Sequence, residues 1–60
     1  MSDADVRAAY ELAAEKLGRF NSLDSGIKFE MCEILDCQPW DIQDWIDSRT
    51  AEEVSEALFD

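Results

Sequence analysis

The chain has 60 residues, 47% of them hydrophobic, with fifteen acids against five bases and no histidine. A polypeptide this short buries only about 60% of the surface its unfolded form exposes and holds on the order of 3–9 kcal/mol of stability, too little core for an enclosed pocket. The apolar fraction argues for a folded domain and against a disordered acidic tail. The net charge of −10 argues against nucleic acid and anionic membrane as direct partners.

The charge is divided unevenly. Residues 1–29 hold five acids and four bases (Arg7, Lys16, Arg19, Lys28), whereas residues 30–60 hold ten acids and a single base, Arg49. The first predicted helix starts at Ser2, with Asp5 at the third helical position. It carries an apolar stripe of Val6, Tyr10, Ala13, Leu17 and Phe20, and Gly18 or Asn21 ends it. Asn21–Ser25 reads as a turn, with Asp24 or Ser25 as the next N-cap. The second helix is expected to bury Ile27, Met31, Ile34 and Leu35 and to stop at Asp36–Cys37–Gln38. Pro39 suits the first position of a third helix, which turns Ile42, Trp45 and Ile46 inward. Thr50 and Glu53 form a T-x-x-E capping box for a short fourth helix with Val54, Ala57 and Leu58 on its inner face. The expected fold is therefore all-α, one domain over residues 1–60: a compact bundle of three to four short helices. No segment alternates with period two for long enough to make a strand.

Cys32, Asp36, Ile42 and Trp45, flanked by Met31, Leu35 and Cys37, follow a known spacing. A small residue is followed four positions later by a turn residue, then by apolar residues ten and thirteen positions after it. Residues 28–47 resemble the helix-turn-helix superfamily of DNA-binding domains in this respect. The resemblance implies a helix-turn-helix-like middle pair whose second helix enters a DNA groove. Asp36 departs from the family's usual Gly at the turn. The charge opposes the function: that second helix offers Gln38, Trp40, Asp41, Gln43, Asp44 and Asp47 and no base. DNA affinity rests on Lys and Arg neutralising phosphates, so direct DNA binding is not expected.

Glu30, Glu33 and Asp36 recur every three residues, as do Asp41, Asp44 and Asp47, so each set makes a row along a helix face. Such rows either keep a small protein soluble or dock a basic partner, including one that normally binds nucleic acid, in the manner of DNA mimics. Trp45 is expected in the core. Trp40 is either a lid over the end of the first helix or an exposed anchor, as Trp often is in binding hot spots. Phe59 is core closure or a second anchor. The expected partner-binding set is Glu30, Glu33, Trp40, Asp41, Gln43, Asp44 and Asp47.

Ser22–Leu23 after Asn21 is similar in broad terms to the Asp-Ser-Leu motif of acyl carrier proteins, which implies a prosthetic group on Ser22; here Asn21 replaces the Asp. A turn and helix cap is the plainer reading. Cys32 and Cys37 lack the further ligands of a zinc site and are expected as reduced thiols of a cytoplasmic protein, a disulfide between them being the alternative. With no nucleophile beside a base and no Gly-rich phosphate loop, no enzyme activity and no cofactor is expected. The resulting expectation is a non-enzymatic protein-interaction module, of a type at home among small phage or mobile-element proteins that modulate host machinery. A helix-turn-helix regulator acting within a larger assembly is the main alternative.

Overall fold

A computed structural model describes residues 1–60 as four helices and no strand, 72% helical. They are α1 (Asp3–Leu17), α2 (Ser25–Leu35), α3 (Pro39–Asp47) and α4 (Ala51–Leu58). Local chemistry sets their ends. The Ser2 hydroxyl accepts from the Asp5 N–H at 3.1 Å, and the Asp24 carboxylate accepts from the Ile27 N–H at 2.9 Å. Pro39 opens α3, where a missing N–H leaves no bond unmade. Thr50 and Glu53 close a reciprocal box at the start of α4, at 3.2 and 2.9 Å.

The helix ends are as specific. Gly18 is left-handed (φ 68°), and the following Arg19 N–H reaches back to the Ala14 carbonyl at 3.1 Å. Asp36 adopts the same left-handed conformation (φ 54°, ψ 49°), with the Cys37 N–H on the Cys32 carbonyl at 3.0 Å. Both are Schellman ends. Asp36, at the position where the family it resembles usually has Gly, thus keeps a glycine-like backbone.

α1 is the hub, packing most extensively on α2 and also on α4, while α3 packs on α2. Its buried face is Val6, Ala9, Tyr10, Ala13 and Ala14, and the three alanines leave room for the neighbouring helices. Ile27, Met31, Cys32, Ile42, Trp45, Val54 and Leu58 complete the core. Phe59 closes it, its ring 5.3 Å from that of Tyr10.

Two expectations about the core are corrected. Phe20 does not continue the α1 stripe: the helix ends at Gly18, and Phe20 lies in the loop 65% exposed. Ile34 is 42% exposed, because α1 covers the Ile27–Met31 side of α2 and Cys32 occupies the inward position instead. Leu35 only leans on the core from its edge. No helix is long and apolar enough to cross a membrane.

A left-handed Asp is strained where Gly is not, and this one adds an anion at a helix C-terminus, which the helix dipole disfavours. Asp36→Gly is expected to stabilise the fold by about 0.5–1 kcal/mol, read as a higher urea midpoint with unchanged slope. A fall in the midpoint would mean that the Asp36 side chain itself holds the turn.

Candidate partner-binding surface

Four of the five bases are engaged by carboxylates within the chain. Arg7 pairs with Glu11, Lys16 with Glu30, Arg19 with Asp24, and Arg49 with Asp3. Arg49 is the only base of residues 30–60. It crosses to α1 and also lies 4.2 Å over the Trp45 ring. The Trp45 indole N–H donates to the same Asp3 carboxylate at 3.2 Å, and Arg49 donates to the Trp45 carbonyl at 3.2 Å. From Glu33 to Asp60, nine side-chain carboxylates therefore have no cation partner.

The expected binding residues separate into distinct roles. Glu30 leaves the acidic row: its carboxylate lies 3.0 Å from the Lys16 ammonium and its side chain is 17% exposed. The same contact holds the Lys16 ammonium above its ordinary pKa. Asp41 is half-buried and accepts from the Gln38 N–H at 3.0 Å, so it caps α3. Glu33, Asp44 and Asp47 are exposed. Asp47 accepts from the Gln43 amide N–H at 2.9 Å, and the Gln43 carbonyl accepts from Lys28 at 3.2 Å. Gln43 thus bridges the one base without a carboxylate to the end of the acidic row on α3.

Trp40 is 64% exposed and does not cover α1. It lines a shallow groove between α2 and α3 with Ser25, Lys28, Phe29, Pro39 and Gln43. Phe29, the opposite wall, is 58% exposed. Phe29 and Lys28 are not among the residues expected at the surface from the sequence. The signal for Phe29 was its place two residues after Ile27, off the apolar stripe of α2, where a large aromatic gains nothing from the core. The partner of Arg49, 46 residues away in Asp3, left no signal in the spacing.

The remaining chemistry is structural. Ser22 donates its N–H to the Tyr10 hydroxyl at 3.3 Å and its hydroxyl to Asp24 at 3.4 Å, which makes it part of the turn before α2. The cysteines are unbridged, and burial pushes the Cys32 thiol above its ordinary pKa, with Cys37 adding to the effect. No three Cys or carboxylate side chains converge as a metal ion would require. Compared with protein-family models, with curated proteins and with solved structures, the chain matches none.

Unpaired exposed carboxylates repel one another, and salt screens that repulsion. Raising NaCl from about 10 to about 500 mM should therefore raise the urea midpoint; a fall would mean that the four ion pairs dominate. The Asp24 carboxyl is held below its ordinary pKa chiefly by the Ile27 N–H, and Glu53 likewise by the Thr50 N–H. A depressed carboxyl stabilises the fold above the unfolded value near 4 and loses that contribution as pH falls through the folded value. Asp24→Ala should destabilise most near neutral pH, and the gap from wild type should narrow below about pH 4. A constant gap from pH 7 to 2 would assign the loss to packing.

Proposed function

We propose that the chain is a non-enzymatic protein-interaction module whose acidic surface docks a basic protein. One observation carries this reading: the fold leaves two of the three acids of α3, Asp44 and Asp47, without counterions at positions where they do not help the helix. Asp44 and Asp47 lie toward the C-terminal end of α3, which has no base in its last turn, and the helix dipole disfavours anions there. α2 and α4 also lack a base in the last turn. A surface selected for solubility alone would interleave both signs. The exposed Trp40 next to these carboxylates supplies an apolar anchor of the kind enriched at binding hot spots.

The docking set on this reading is Glu33, Trp40, Gln43, Asp44 and Asp47. Asp41 supports it by capping α3, and Glu30 holds Lys16. Carboxylate rows can stand in for phosphates, so the partner fits a protein that itself binds nucleic acid, as in a DNA-mimic inhibitor from a phage or mobile element. The two unbridged thiols suit a reducing, cytoplasmic setting.

A second reading, a helix-turn-helix regulator acting within a larger assembly, is favoured by the turn itself. Asp36 takes the glycine-like conformation there, and Cys32, Ile42 and Trp45 are all buried. Against it, α3 has no base, and the two that touch it are engaged: Lys28 hydrogen-bonds Gln43, and Arg49 pairs with Asp3 while lying over Trp45.

The test immobilises wild type beside Glu33→Gln/Asp44→Asn/Asp47→Asn, all exposed positions, and passes the DNA-binding fraction of a lysate from the organism that carries the protein. Wild type should retain basic proteins that elute with salt, and the triple variant should retain little. Equal retention by both overturns the docking reading. Retardation of duplex DNA by the isolated chain at low salt would support the regulator instead.

A further inference from the structure

The groove between α2 and α3 combines two features not found together elsewhere on the surface. Its walls are two large, exposed aromatic side chains, Phe29 and Trp40, which the core does not use. Its lining also contains Lys28, the only base that no carboxylate of the chain engages. The Lys28 ammonium is tied to the Gln43 carbonyl at 3.2 Å, which links α2 to α3 across the groove. One helical turn beyond each aromatic the charge reverses. Glu33 follows Phe29 by four residues and Asp44 follows Trp40 by four, both exposed and without a cation partner. The arrangement is an apolar slot with one positive charge inside and carboxylates beyond.

We infer that this slot takes a bulky apolar side chain, aliphatic or aromatic, from an amphipathic helix of the basic partner, whose Lys or Arg residues one turn away meet Glu33 and Asp44. The inference rests on the docking reading above and adds what the partner inserts. An exposed Trp beside acids would by itself suit a guanidinium or ammonium through cation–π contact. Lys28 disfavours that option, because a second cation between the rings would face the Lys28 ammonium that lines the same groove. An apolar side chain suffers no such repulsion and covers both rings. A second copy of the chain does not fit either: each copy carries −10, and the flanking carboxylates of the two would be brought together.

Three synthetic 18-residue helical peptides of equal positive charge test this by calorimetry at low and moderate salt. The first has Lys on one face and Leu at i, i+4 and i+7 on the other. The second replaces the Leu residues by Ala, and the third replaces the central Leu by Arg and one Lys by Ala. The Leu peptide is expected to bind at least ten times more tightly than either of the others. Phe29→Ala/Trp40→Ala should remove that advantage, bringing the Leu peptide down to the weak, salt-sensitive binding that the Ala peptide shows on the same variant. Both positions are exposed, and helical circular dichroism checks that the variant is folded. If the Leu and Ala peptides bind equally, or the double variant keeps the preference, the slot inference fails while the acidic docking reading stands. If the Arg peptide binds as tightly as the Leu peptide, the slot is a cation site and the inference is overturned. If neither the Leu nor the Ala peptide shows salt-sensitive binding, the docking reading fails and the slot inference falls with it.

Discussion

Arg49 lies over the Trp45 ring, donates to the Trp45 carbonyl and pairs with Asp3 at the first turn of α1. This small cluster joins the end of α3 to the start of α1, and so closes the bundle over the edge that the α1–α2 and α1–α4 packing leaves open. It also decides the electrostatics of the molecule. The single base of residues 30–60 is turned toward the first half of the chain, where it satisfies an acid and stacks on an aromatic. A guanidinium suits both tasks at once, because it is planar for stacking and forked for a carboxylate. Every carboxylate that follows Glu30 is thereby left to solvent, to a helix cap or to a partner.

The division of labour among the acids follows from where each falls on its helix. Asp24, Asp41 and Glu53 sit at helix starts, where free N–H groups accept an anion readily, and they hold those ends. Glu30 is drawn to Lys16 across the α1–α2 contact. Glu33, Asp44 and Asp47 have neither role, and they share one side of the molecule with Trp40 and Phe29.

Much of the fold was legible from local patterns. Ser2, Asp24, Thr50 and Gly18 begin or end helices through bonds spanning three to five residues, and Pro39 opens one where no N–H is needed, so the local sequence alone reveals them. The failures share a cause. Phe20 and Ile34 continue an apolar period that the structure does not use: a left-handed Gly18 stops α1 early, and α1 covers only one side of α2. Periodicity says which residues could face inward, and tertiary contact decides which do. The candidate surface was half legible. Acid rows and Trp40 stand out in the sequence, but the pairing of Glu30, the capping by Asp41 and the second aromatic wall all depend on which helices meet.

The two tryptophans end in opposite environments, and this makes the protein its own reporter. Trp45 is sealed against Arg49 and Asp3, whereas Trp40 stands in water at the groove. In the folded state the indole emission is therefore a sum of a short-wavelength and a long-wavelength component. Unfolding shifts the first, and covering the groove shifts the second. A small aqueous quencher reaches Trp40 and not Trp45, so occupancy of the groove and integrity of the core can be followed separately in one unlabelled sample.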